Sequence, residues 1–321
     1  MASVIIFTTT ACESNTRRAD PTELTTQNSP TSSEQDSVAT KTVSHALGQA
    51  EIPLDPQRIV VLDANGSFYV DALSSLDIQP IGVSRCSDCV ALDNFEDFLE
   101  DIPTVGNNEQ PSLEKIVSLN PDLILGYSWQ EGSYFKLSKI APTVMIDIFS
   151  EGNDFKRNFR SLADILDKTD KANEILADYE VRVQEFRQQM ENQLKNKTAS
   201  LLSFFDSTAH VYGPETLAYA PVLSDVGIQF ISAYKNLGSD YLRLNLEAIP
   251  DWDADLLFLD LYYTEDSGGI ESLPLFEEPI WQSLKAVQNN QAYVTDWYGG
   301  GPAMANRVID DLYEFLLRQD S

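Results

Sequence analysis

PSLEKIVSLNPDLIL, residues 111–125, returns later in the chain as LNLEAIPDWDADLLF, residues 244–258. At a constant offset of 133 positions, Leu113/Leu246, Glu114/Glu247, Ile116/Ile249, Asp122/Asp255 and Leu123/Leu256 are identical. Each copy reads as a short amphipathic helix, a turn, an acidic residue and then a buried apolar strand. Two copies do not make a solenoid, which needs at least ~3 repeats. The pattern instead predicts two similar α/β lobes with a cleft between them.

The 321 residues leave room for two such domains. A formal charge of −28 argues against nucleic acid, whose phosphates need Lys and Arg, and against peripheral binding to anionic lipid. The longest apolar run near the start, Val4–Ile5–Ile6–Phe7, falls far below the ~20 residues that span a bilayer. Small residues and Cys12 follow it, and residues 1–12 resemble the end of a bacterial lipoprotein signal with Cys12 as the lipidated residue. Residues 13–42 are rich in Ser, Thr, Gln, Asp and Pro, so they bury too little surface to offset chain entropy and read as a disordered tether. The remaining thiols, Cys86 and Cys89, form one C-x-x-C. A structural zinc site wants four ligands and no second pair exists, so a local disulfide of an exported protein is the leading reading. A thioredoxin-like role is disfavoured because Asp88 raises the pKa of its neighbours.

Strands alternate with helices on both sides of the repeat. Arg58–Leu62, Pro80–Ser84, Thr104–Gly106, Asp122–Gly126 and Thr143–Ile146 read as strands of an N-terminal lobe, residues 43–153. Residues 154–196 are helical. Within them Lys171 to Lys195 carries Ile175, Leu176, Tyr179, Val183, Phe186, Met190 and Leu194 at helical spacing, predicting one interlobe helix of ~35 Å capped by Thr169 or Asp170. Residues 197–321 form the second lobe, with strands near 200–205, 210–213, 255–260 and 291–295, a helix from Pro279 to Val287 and a final helix around Val308–Leu316. The fold class is α/β: two Rossmann-like lobes with mostly parallel central sheets, joined by one long α-helix.

Three segments carry a resemblance. The opening stretch from His45 to Leu62, the first repeat from Leu113 to Ile124, and Trp297–Tyr298–Gly299–Gly300 with Ala305 and Ile309–Leu312 are similar, in that order, to the substrate-binding proteins of bacterial ABC importers for ferric siderophores, cobalamin and haem. The similarity spans about residues 43 to 318, and the ferric-siderophore branch fits best. It implies the helix-linked architecture of class III periplasmic binding proteins and a chain that is not an enzyme. It further implies an Fe(III)-siderophore as cargo with no cofactor, and a permease and its ATPase as partners. One Glu per lobe, Glu114 and Glu247, is implied to dock onto Arg residues of the permease.

In open α/β sheets ligands bind beyond the C-terminal ends of the strands. The residues expected there are Arg85, Tyr127, Trp129, Tyr212, Tyr262, Tyr263, Trp297 and Tyr298. Aromatic faces suit a siderophore backbone, and hydroxyl and indole N–H groups donate to its oxygens. Tyr262 and Tyr263 are neighbours on an extended segment, so at most one faces the cleft. Arg85 and Arg243 are the charged candidates, since a guanidinium grips the anionic oxygens of an iron chelate through two bonds. Arg243, next to the second repeat, also reads as a surface helix residue. His210 reads as a loop histidine, and no cluster for haem or for naked iron is visible, so the metal is held by its chelator. Gly299–Gly300–Gly301 either brings backbone close to a ligand or serves as a flexible loop.

The expected function is therefore a lipid-anchored, monomeric receptor in the periplasm or on the outer face of the cytoplasmic membrane. It captures a ferric siderophore, with hydroxamate or citrate–hydroxamate types favoured. A cobalamin or haem receptor is the alternative of the same class. An enzyme lacks support, with no Ser-His-Asp order, no phosphate loop and two histidines in the chain. A surface adhesion or signalling module that kept the fold and lost transport is a third reading.

Overall fold

The computed structural model describes residues 39–63, 68–85, 94–108, 110–205, 208–261 and 274–317. Cys12, Cys86, Cys89, Tyr262 and Tyr263 lie outside them, as does all but the end of the expected tether. An antiparallel hairpin comes first, β1 (Thr40–His45) against β2 (Gly48–Pro53). It begins inside the stretch assigned to the tether, because Thr40 and Lys41 pair with Pro53 and Ile52 and Ile52 is buried.

The N-terminal lobe follows as β3 (Ile59–Val61), α1 (Phe68–Ser75), β4 (Gly82–Val83), α2 (Glu96–Leu99), α3 (Leu113–Leu119), β5 (Leu123–Tyr127), α4 (Glu131–Leu137) and β6 (Thr143–Ile146). Its four strands lie in the order β4-β3-β5-β6 and every pair is parallel. Their residues are buried on both faces, as near-continuous Val, Ile and Leu runs require. The short strand expected at 104–106 is reduced to single bridges, Val83 to Thr104 and Gly106 to Pro111.

Next come α5 (Phe155–Ile165) and α6 (Thr169–Leu194), the latter of 26 residues or ~39 Å. Ala172, Leu176, Tyr179, Val183, Phe186 and Met190 form its buried stripe. The helix starts at Thr169, so neither Thr169 nor Asp170 caps it, and Lys168 at the N-cap offers no acceptor. It grips both lobes. Lys171 Nζ donates to Leu76 O of the first at 2.9 Å, and Tyr179 and Arg182 donate to Asp225 and Asn306 of the second at 2.8 and 2.6 Å.

The C-terminal lobe comprises β7 (Thr198–Phe205), β8 (Thr208–Tyr212), α7 (Ala220–Asp225), β9 (Gln229–Phe230), α8 (Ser232–Lys235), β10 (Tyr241–Leu244), β11 (Leu256–Leu261), α9 (Pro279–Gln282), α10 (Lys285–Gln288), β12 (Ala292–Thr295) and α11 (Pro302–Leu317). The order is β10-β8-β7-β11-β12, with β9 beside β7. β7, β9, β11 and β12 are parallel, whereas β8 folds back on β7 and β10 pairs antiparallel with β8. The helix expected over 279–287 is broken into α9 and α10, with Ser283 and Leu284 between them.

The repeat is a repeat in space. Ser112 and Asn245 are both N-caps, accepting from Lys115 N–H and Ala248 N–H three residues on. The second copy winds as a 3-10 turn over Leu246–Trp252 because Pro250 removes a helical donor. Asp122 accepts the backbone N–H groups of Gln57 and Arg58 at 2.8 and 2.9 Å, and Asp255 accepts that of Thr198 at 2.8 Å. Each repeated aspartate thus fastens the start of the strand that lies next to its own.

Candidate functional site

The ends of β3 and β5 are tied by Gln130, a buried amide just after Trp129. Its Oε1 accepts Tyr127 N–H at 2.8 Å, and its Nε2 donates to Leu62 O and Asn108 O at 3.2 Å. Asn108 is held from its other side by the hydroxyl of Ser84, which follows β4. On this frame stands Trp129, 51% exposed, stacked on Tyr127 at 4.1 Å between centroids and 5.7 Å from Phe149. Trp129, Asn108, Gln110, Pro111, Leu113 and Lys136 are among the residues lining a cavity of about 820 Å³. The cavity offers a flat aromatic face, amide donors and one ammonium.

Tyr127 stands at its expected strand end but its ring points inward and is 1% exposed. Its hydroxyl donates to Asp63 Oδ1 at 2.6 Å, so it supports Trp129 from behind and has no surface to offer a ligand. Burial pushes the Asp63 carboxyl up to about 6, against the opposing hydrogen bonds from Tyr127, Val70 and Tyr69. Such a carboxyl binds its proton more tightly folded than unfolded. Its stabilising contribution is full below 3.8 and is lost as the pH rises through 6. The difference corresponds to about 3 kcal/mol. Denaturant unfolding of the wild type and Asp63→Asn between pH 4 and 7 is expected to show the wild type losing about that much relative to the variant. A constant difference across the range would refute the shift.

Arg85 follows β4 and is half-buried. Its Nη2 donates to Leu99 O, the last carbonyl of α2, at 3.3 Å, and its Nε is buried with no partner among the described residues. It does not line the Trp129 cavity. In the other lobe, Tyr212 and Arg243 come together on the antiparallel pair β8–β10, where Tyr241 pairs with Tyr212 and Arg243 with His210. His210, Tyr212 and Tyr241 stack in series, at 6.3 and 5.8 Å. Because β8 is antiparallel to β7, Tyr212 lies at the far end of β8 from Thr208, the partner of Phe205, and so not among the strand ends where it was expected. Arg243 is an exposed strand residue rather than a helical one, and its Nη2 donates to Thr208 Oγ1 at 3.3 Å. Burial and the Arg243 charge both hold His210 below its ordinary pKa.

Trp297 corrects another expectation. It is 2% exposed, packed on Phe258 and Tyr219, and its indole N–H donates to Asp311 Oδ2 at 2.8 Å. The C-terminal helix claims its polar edge, so it belongs to the core. Tyr298 remains half-buried. Glu114 and Glu247 are both exposed, each in the first turn of its repeat helix.

The lobes are also tied to each other between α5 and the end of β8. Asn153, four residues past Phe149, donates its backbone N–H to Glu215 O at 2.7 Å and its side chain to Thr216 O at 3.1 Å, and Glu215 lies three residues past Tyr212. Asn108, Gln130, Lys136, Phe149 and Tyr241 join the site without a sequence signal to announce them.

Two α/β sheets bridged by one long helix define a class III bilobal binding protein. The chain belongs to the periplasmic binding protein family, whose pattern matches residues 64–298. It is 32% identical over 305 residues to the probable siderophore-binding lipoprotein YfiY of Bacillus subtilis, covering 90% of this chain and 92% of that protein. It is 31% identical to the achromobactin-binding periplasmic protein of Dickeya dadantii, over 80% of this chain and 85% of the other. Among solved structures, Staphylococcus aureus SirA complexed with staphyloferrin B matches with a TM-score of 0.70 and 28% identity, over 86% of this chain and 98% of SirA. No described helix is long and apolar enough to cross a membrane.

Proposed function

We propose that this chain is the substrate-binding lipoprotein of an ABC importer. It captures a ferric siderophore of hydroxamate or citrate–hydroxamate type between its lobes and presents it to the membrane permease. Trp129 carries the reading: a large aromatic side chain held half-exposed on a rigid stack, over a cavity that also supplies amide and ammonium donors. Pockets that combine an apolar face with a few fixed polar groups suit a chelate whose backbone is apolar and whose metal-binding oxygens are anionic. Similarity to proteins named for siderophore binding supports the same reading. Tyr212, Arg243 and Tyr298 are proposed as contacts from the second lobe, Tyr262 or Tyr263 as a further one, Glu114 and Glu247 as the docking residues, and Cys12 as the lipid anchor.

Purified protein titrated with ferric hydroxamates, ferric citrate, ferric catecholates, haemin and cobalamin tests this directly by calorimetry. Saturable binding of a ferric hydroxamate or citrate complex is the expected result. Binding confined to haemin or cobalamin, or to none of the five, sinks the ferric-siderophore reading.

A further inference from the structure

One carboxylate of the N-terminal lobe is bonded into the start of the last helix of the other lobe. Asp71, on α1, is fully buried. Its Oδ2 accepts the backbone N–H groups of Gly301 and Met304 at 3.0 Å, and its Oδ1 accepts that of Ala303 at 2.9 Å. These N–H groups at the head of α11 have no partner within the helix, and a carboxylate also suits the helix's positive end.

The glycine run explains how the two come so near. A Cβ on Gly301 would sit 2.6 Å from Asp71 Oδ1, and one on Gly300 would sit 2.9 Å from Phe68 Cβ. Gly299 has φ +141, and a Cβ there would lie 2.7 Å from Asp71 Oδ2. Gly299–Gly300–Gly301 is therefore a packing surface for α1, so neither ligand approach nor loop flexibility is needed to account for it. The loop leading into it is gripped by the N-terminal lobe as well: Asn94 Nδ2 donates to Asp296 O at 3.0 Å, and Arg307 of α11 lies over the Phe95 ring. Arg307 also donates to Tyr298 O at 3.2 Å.

We propose that Asp71 is a positioning residue that latches the two lobes. By fastening the head of α11 to α1 it fixes the segment Asp296–Gly301, and with it the place of Tyr298, relative to the N-terminal lobe. The long helix sets which lobes face each other, and the Asp71 latch sets how far they stand apart. The part of this that concerns ligand rests on the siderophore reading; the latch itself does not.

The test is made first without ligand, on the full chain with Cys12, Cys86 and Cys89 replaced by Ser and nitroxides placed at Val117→Cys and Val294→Cys. Val117 and Val294 are exposed, one in each lobe. Asp71→Ala is expected to broaden the label distance distribution and to speed hydrogen exchange at Gly301, Ala303 and Met304 at least ~10-fold, while the amides of β5 and β11 keep their protection. Asp71→Asn, which keeps one acceptor oxygen, should fall between. If Asp71→Ala does not fold, Asp71→Asn and Gly300→Ala carry the same two readouts. A folded variant with unchanged exchange and an unchanged distance distribution overturns the latch. Binding of the ferric hydroxamate or citrate complex is then measured on the same proteins. If the latch readouts shift but the wild type binds no ferric chelate, the latch stands and the siderophore reading falls.

Discussion

Trp129→Ala is expected to weaken ferric-chelate binding by roughly 30- to 150-fold, with little change in the stability of the free protein. The ring is already half-exposed without ligand, so truncating it costs the fold little. On binding, about 100 Å² of apolar face would leave water, and at ~25 cal/mol per Å² this is about 2–3 kcal/mol. The stack on Tyr127 raises the value of that surface, because a ring held at 4.1 Å against a buried neighbour loses little rotamer freedom when ligand arrives. Trp129→Phe should recover most of the affinity. Tyr127→Phe should act differently: it removes the donor to the buried Asp63, so it lowers stability at pH 7 more than it lowers affinity. Calorimetric titration of the three variants separates these outcomes. A Trp129→Ala protein that binds like the wild type would move the ligand away from this cavity.

What could be read from the chain, and what could not, follows from the range of the forces involved. The repeat announced its helices and strands because apolar spacing is local, and the 3–4 spacing of Leu176, Tyr179, Val183 and Phe186 did the same for α6. The antiparallel course of β8 and β10 left no mark, since a strand's period is the same in either direction. Tyr127 and Trp297 were placed at the right strand ends but facing the wrong way. An aromatic residue with a polar edge satisfies both water and a buried carboxylate, and only the position of Asp63 or Asp311 decides between them. Asp71 was invisible for a plainer reason: its partners lie 230 to 233 positions away in sequence. Gln130 and Asn108 act through backbone carbonyls and side-chain oxygens brought together by folding, which no spacing rule encodes.

Reversing both repeat glutamates, Glu114→Arg with Glu247→Arg, is expected to cut iron uptake at least ~100-fold while ferric-chelate affinity stays within about twofold. The two residues are equivalent by sequence and by structure. Each is exposed in the first turn after an N-cap, Ser112 or Asn245, and each precedes a strand at the heart of its sheet. A single exposed ion pair contributes only ~0–1 kcal/mol, so Glu114→Ala or Glu247→Ala alone should lower uptake a few-fold. Reversal does more than delete, because it sets Arg against the Arg proposed on the permease, and like charges brought together cost several kcal/mol. In the proposed docking the pair would also work as a ruler. Both glutamates stand on lobes that α6 and Asp71 hold in one arrangement, so losing the fit at either end tilts the whole receptor on its partner. Uptake of labelled ferric chelate into cells depleted of the native chain, alongside calorimetry on the purified variants, gives both numbers. Uptake that survives the double reversal would remove the glutamates from the docking surface, and affinity that falls with it would place them in the ligand site instead.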